Sequence, residues 1–220
     1  MIRERYARQI AGLREELLRQ GSMVEHALQR AMTSLETWDV TLAAQIIRED
    51  ADIDAAQRVL EEKVIDLMAT QQPIVASDLR LMSVVVAIAS ELERIGDYAN
   101  SIARRIKRVT RRPAFVSPPS GIREMATLAR QMLHTSLEAF LHQDTSLAYS
   151  LAQDDERVDE LEEILRAELI NIAQSDPRRI EAALDLMEVI QVLERVADRA
   201  TNIGERVIYL VTCLSEELNP

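Results

Sequence analysis

Apolar residues recur along this chain at helical spacing over long stretches, and strand-forming residues nowhere cluster with turn signals. In the first half the helical pattern covers roughly residues 6–35, 40–69 and 79–109; in the second it covers roughly 122–141, 145–172 and 178–214. Breaks fall at Thr37-Trp38-Asp39 and at Gln72-Pro73, while Ser77-Asp78, Asp144 and Asp176-Pro177 offer helix starts, the last with a capping carboxylate followed by proline in the first turn. Residues 81–89 are apolar almost all round, which predicts a central, buried helix too short to span a membrane. Short loops between long helices make neighbouring helices antiparallel.

The clearest linker is residues 112–121, which holds half of the six prolines and divides the chain nearly equally. The pattern therefore predicts an all-α fold of two tandem antiparallel three-helix bundles. The expected boundaries are 1–112 for the first repeat, 113–121 for the linker and 122–220 for the second repeat.

Composition narrows the class without changing this plan. A charged fraction of 29% and a hydrophobic fraction of 47% are those of an ordinary globular protein. The net charge of −11 repels nucleic-acid phosphates, and no basic stripe with interleaved aromatics offsets it. The basic run Arg104-Arg105-Ile106-Lys107-Arg108 with Arg111-Arg112 sits at an expected helix C-terminus, where cations complement the helix dipole. A single cysteine, Cys213, cannot form an intrachain disulfide, is read as a buried inert thiol, and fits a reducing cytosol. The first residues are charged and lack the apolar core of a signal peptide, so a soluble cytoplasmic protein without membrane insertion is expected.

The candidate chemistry lies in a repeated phrase: Glu93-Arg94-Ile95-Gly96-Asp97 returns 101 positions later as Glu194-Arg195-Val196-Ala197-Asp198. A fixed internal period marks a duplicated supersecondary unit. Each phrase puts a Glu and an Asp at i and i+4, on one helix face. The second helix of each half carries a matching pair, Asp50 with Asp54 and Asp155 with Asp159. Residues level with each other in an antiparallel hairpin have position numbers of constant sum. Asp50 with Asp97 and Asp54 with Glu93 both sum to 147, whose midpoint falls on Pro73-Ile74. Asp155 with Asp198 and Asp159 with Glu194 both sum to 353, whose midpoint falls on Asp176-Pro177. Both midpoints coincide with turns placed from other signals.

Two level quartets of carboxylates follow, if helix rotation turns them toward each other. Clustered anions persist only with cations, protons or arginines among them, and all-oxygen donor sets suit hard multivalent ions. Asn202 and Glu205 extend the second stripe, where the first half has Ser101 and Arg104, so the second group has the richer oxygen ligation. Beside this stands the plainer alternative of solvated helix faces neutralised by Arg94 and Arg195. A carboxylate-bridged metalloenzyme is a further alternative, but His26, His134 and His142 lie outside the acidic motifs and a ferritin-like di-iron site needs Glu-x-x-His pairs. No glycine-rich phosphate loop is present. A metal-free acidic scaffold engaging basic surfaces is the third reading.

The phrase Gln71-Gln72-Pro73-Ile74-Val75-Ala76-Ser77-Asp78-Leu79-Arg80, the two acidic phrases, and the closing Glu205-Arg206-Val207-Ile208-Tyr209-Leu210-Val211 resemble the PhoU family, accessory proteins of bacterial phosphate-specific transport. The resemblance spans nearly the whole chain. It implies tandem three-helix bundles, homodimers, and metal ions (Fe, Mn, Mg or Zn) on the acidic motifs. It also implies a non-catalytic cytoplasmic role linking the ATPase subunit of a phosphate ABC transporter to a sensor histidine kinase. The family motif matches at Glu93, Arg94, Gly96 and Asp97 and departs at Ser101 and Arg104; in the second repeat it matches at Glu194, Asp198, Asn202 and Glu205.

Overall fold

In a computed structural model, which describes residues 2–219 except residue 113 and only the backbone of residues 2 and 3, six long helices account for the hydrophobic pattern. Met1, Pro113 and Pro220, which fall within the expected repeat and linker bounds, lie outside the described residues. The helices are α1 (Ile2–Thr37), α2 (Val40–Thr70), α3 (Ala76–Val109), α4 (Gly121–His142), α5 (Thr145–Ser175) and α6 (Ile180–Thr212), with one 3-10 turn, Pro177–Arg179, before α6. At 1.5 Å per residue the longest extend about 50 Å.

The first connection of each half is built the same way. Trp38 and Gln143 take left-handed backbone (φ 55° and 53°), and the aspartate that follows caps the next helix. Asp39 accepts hydrogen bonds from the backbone N–H groups of Thr41 and Leu42, and Asp144 from those of Ser146 and Leu147. Asp176 likewise accepts from Arg178 N–H and opens the 3-10 turn that Pro177 begins. The expected cap at Ser77-Asp78 is not used: α3 starts at Ala76, and Asp78 in its first turn instead accepts from the Tyr6 hydroxyl at 2.9 Å. Burial, and then that bond, push the Tyr6 pKa up to about 12.

Burial separates outer from central helices. α2 and α5 each bury one stripe (Ile46, Ile53, Leu60, Val64 and Leu67 in α2; Leu151, Val158, Leu165 and Leu169 in α5), as amphipathic helices do. α3 and α6 bury broad surfaces because each packs within its own bundle and also against the other. Leu81, Met82, Val84, Val85, Ile88 and Ala89 are all buried, as the all-round apolar pattern requires.

The α3–α6 contact is antiparallel and ion-paired. Arg105 with Glu188, Arg108 with Asp185 and Arg112 with Glu181 hold the two halves together, and in every case the position numbers sum to 293. Arg112 Nε also reaches the buried Asp185 at 3.0 Å, and Arg199 pairs with Glu91 at 3.2 Å. Three residues of the basic run, Arg105, Arg108 and Arg112, therefore serve an interface between repeats. The linker packs as well: Val116 is buried, and Phe115 meets Trp38 edge-on with ring centroids 5.0 Å apart.

α6 stops at Thr212. Cys213 takes left-handed backbone (φ 66°) and is exposed beside the Arg80 guanidinium, which corrects the reading of a buried thiol. Among the described residues no helix is long and apolar enough to cross a membrane.

Candidate metal centres

Close helix approach brings the acidic residues together. Gly96 presents no side chain to α2, so Ile53 seats against it; a Cβ there would come within 3.1 Å of the Ile53 side chain. Gly204 does the same for Leu151 on α5, where a Cβ would meet Leu151 at 2.7 Å. The position numbers of these contacts sum to 149 and 355, each two above the sum for the acidic pairs of the same hairpin.

In the first half Asp50 and Asp54 on α2 face Glu93 and Asp97 on α3. Burial raises the Asp50 pKa, and the charges of Asp97 and Asp54 raise it further. Burial likewise raises Glu93, followed by Asp97, Asp54 and Asp50. The four carboxylates thus share one electrostatic environment. Asp50 accepts a hydrogen bond from the side-chain amide of Asn100, which is 5% exposed, and Arg104 Nε donates to Asn100 Oδ1 at 2.9 Å. Arg104 is a guanidinium built into the edge of this group, and its charge lowers the Asp50 pKa. Ser101 is half-buried next to it. On the α1 side a cavity of 150 Å³ reaches Asp50 and is lined also by His26, Arg30, Glu49 and Asp52, so His26 lies nearer the acidic residues than the sequence indicated.

The second half carries stronger perturbations. Asp155, only 4% exposed, has its pKa pushed up to about 7 by burial and by the charges of Asp159 and Asp198. Glu194 is pushed to about 7 by burial, then by Asp198, Glu162 and Asp159. Asp159 and Asp198 are also raised, chiefly by burial, with Arg199 and Arg195 opposing the shift at Asp198. Glu205 and Asn202 are half-buried further along the same stripe of α6, and Glu205 Oε1 accepts from the backbone N–H of Leu218 at 2.9 Å.

Three participants have no place in the sequence-level assignment. Glu162 joins the second group from α5, one turn beyond Asp159; its counterpart 105 positions earlier is Gln57, which bonds Glu61 instead. The continuing stripe Asp155, Asp159, Glu162 was the available signal. Asn100 and Asn219, which donate to Asp50 and Asp155, carried none.

The donor chemistry, oxygen atoms of crowded carboxylates, fits a hard cation. Among the described residues, however, no three Asp, Glu, His or Cys side chains converge closely enough to hold one ion in this arrangement. Both first aspartates are turned to asparagine donors instead. An ion at either group needs carboxylate rotamers to change. Asp97 and Asp159 are exposed, so neither group is an enclosed pocket of the kind metalloenzyme chemistry uses.

The PhoU domain matches this chain twice, over residues 17–106 and 122–207, one copy for each bundle. The chain belongs to the PhoU family. It is 37% identical over 219 residues to the phosphate-specific transport system accessory protein PhoU homolog of Clostridium acetobutylicum, covering 100% of both chains. It is 31% identical over 206 residues to PhoU of Escherichia coli, covering 92% of this chain and 83% of that one. Among solved structures, PhoU from Pseudomonas aeruginosa superimposes with a TM-score of 0.87 at 33% identity over 95% of this chain and 100% of the other. The phosphate transport system regulatory protein PhoU from Streptococcus pneumoniae gives 0.88 at 29% identity over 96% and 99%. These PhoU relatives bear the names of accessory or regulatory proteins, in agreement with the non-catalytic expectation.

Proposed function

We propose that this PhoU-family protein is a cytoplasmic, non-catalytic regulator of phosphate uptake and of the phosphate-starvation response. The observation that carries the reading is similarity over the full length of a phosphate-specific transport accessory protein, with both repeats represented. In this reading it works as a homodimer and adaptor between the ATPase subunit of a phosphate ABC transporter and a sensor histidine kinase. Its six-helix, ion-paired body suits a docking scaffold, and the solvent exposure of Asp97 and Asp159 weighs against the metalloenzyme alternative.

Metal ions (Fe, Mn, Mg or Zn) are proposed to bind the acidic groups, supported by the crowding of carboxylates from two facing helices, which together with burial raises Asp50 and Glu93 in the first group and Asp155 and Glu194 in the second. Asp155, Asp159, Glu162, Glu194, Asp198, Asn202 and Glu205 would supply the second site, and Asp50, Asp54, Glu93 and Asp97 the weaker first.

Expression in a bacterium lacking its own PhoU tests the regulatory role. Restored restraint of labelled phosphate uptake and of a starvation-response reporter is expected; unrestrained uptake at normal protein levels overturns it. Elemental analysis of protein purified without chelator, beside Glu194→Ala and Asp198→Ala, tests the metal reading. Metal-free wild-type protein that also ignores added Mn or Fe ends that reading. Binding to basic partner surfaces that survives chelator would favour the metal-free scaffold.

A further inference from the structure

The chain does not leave the second acidic group when α6 ends. The left-handed turn at Cys213 sends the following residues back along the bundle, with Thr212 Oγ1 accepting from Leu214 N–H at 3.1 Å to fix the reversal. Arg80 of α3 anchors the turn through Leu210 O and the Cys213 thiol. Residues 214–219 then meet α5 and α6 at three points. Tyr149 donates its hydroxyl to Glu216 at 2.6 Å. The Leu218 side chain packs beside Gly204, 3.4 Å from where a Cβ would stand, while its N–H bonds Glu205. Asn219 donates its amide to the buried Asp155.

Two carboxylates of one candidate site are therefore engaged by one short segment of the same chain. Its donors are neutral amides, which satisfy lone pairs but supply no charge. A divalent cation supplies both and is the stronger partner for a group this crowded with carboxylates. The contacts are also local: four of the segment's six residues are exposed and only Leu218 reaches the apolar core, so detaching it leaves the bundle packing intact.

We propose that residues 214–219 form a strap over the second acidic site that competes with a divalent cation for Asp155 and Glu205 and withdraws when the cation binds. Cation occupancy is thereby converted into release of a peptide segment at the surface, and the first site, served by Asn100 from within α3, has no such device. The inference rests on the second site taking a cation.

Full-length protein is titrated with Mn²⁺ alone by calorimetry, and hydrogen exchange of residues 213–219 is followed with and without it. Asn219→Ala and Leu218→Ala remove strap contacts, and Asp198→Ala serves as the site control. The expected result is Mn²⁺-dependent exchange in the strap that Asp198→Ala abolishes, and about tenfold tighter Mn²⁺ binding in the strap variants. Mn²⁺ binding by the strap variants where wild type shows none overturns the proposal as well, because no cation then displaces the strap from the native protein. Mn²⁺ bound at the second site with strap exchange unchanged overturns the strap and leaves the metal reading standing. Weaker binding in Asn219→Ala also overturns it, because Asn219 is then a ligand. No binding in wild type or variants overturns both.

Discussion

Asn219 gives its side-chain amide to Asp155, 64 positions earlier, and Asn100 gives its own to Asp50 in the first repeat. The recipients are the same residue of the duplicated unit, the first aspartate of the α2 or α5 pair. A carboxylate at that height is pressed against the neighbouring helix and needs a donor. The first repeat supplies one from inside α3, and Arg104 braces it. In the second repeat α6 has Thr201 at the corresponding place, turned to the carbonyl of Asp198 by its hydroxyl, and the donor comes from beyond the helix.

Asp155 and Glu194 bind protons more tightly folded than unfolded, with folded values of about 7 against ordinary values of 3.8 and 4.5. Stability from a raised carboxyl is complete below the unfolded value and is lost as the pH rises through the folded one. In chelator, the protein is expected to melt roughly 5 °C lower at pH 8 than at pH 5. Asp155→Asn with Glu194→Gln should flatten the profile. Scanning calorimetry across that range decides; a melting temperature that climbs toward pH 8 contradicts the assignment.

Asn100→Ala strips the donor from Asp50 and is expected to cost about 1–3 kcal/mol in denaturant unfolding. Combining it with Asp50→Ala should recover part of the loss, since the two residues act as a pair. Strict additivity would mean that the amide–carboxylate bond contributes nothing.

Replacing Ser101 and Arg104 with the residues of the second repeat, Ser101→Asn and Arg104→Glu, removes the built-in cation and adds two oxygen donors to the first group. Mn²⁺ affinity there, measured calorimetrically in an Asp198→Ala background, should rise about tenfold or more. No gain would show that Arg104 does not limit the first site.

Glu162 raises Glu194 from the neighbouring helix. Glu162→Gln should bring the Glu194 titration toward its ordinary range, read from the side-chain carbon shift by NMR, and weaken Mn²⁺ binding several-fold. An unmoved titration would place Glu162 outside the group.

Between the repeats, Arg112 holds Asp185 at 3.0 Å and Glu181 at 2.7 Å, whereas Arg108 reaches Asp185 only at 3.5 Å and is half exposed. Arg112→Ala is therefore expected to lower the melting temperature more than Arg108→Ala, because it leaves buried Asp185 with the poorer partner. The reverse order would reassign the latch.

The hydrophobic period predicted six helices, the breaks and capping residues their turns, and the repeated acidic phrase their duplication, because a long amphipathic stripe has few ways to be buried. It also set the heights of Asp50, Asp54, Glu93 and Asp97 and of their second-half counterparts, since height in a hairpin follows from counting residues out from the turn. Rotation about each helix axis does not follow from counting; it was set by packing of the buried stripes of α2 on α3 and of α5 on α6, with close contacts at Gly96 and Gly204. Tertiary structure also made Arg105, Arg108 and Arg112 an interface with α6, brought Glu162 into the second group and laid residues 214–219 over Asp155 and Glu205. Those arrangements join residues far apart in sequence through single side-chain contacts, which leave no period for a sequence pattern to register.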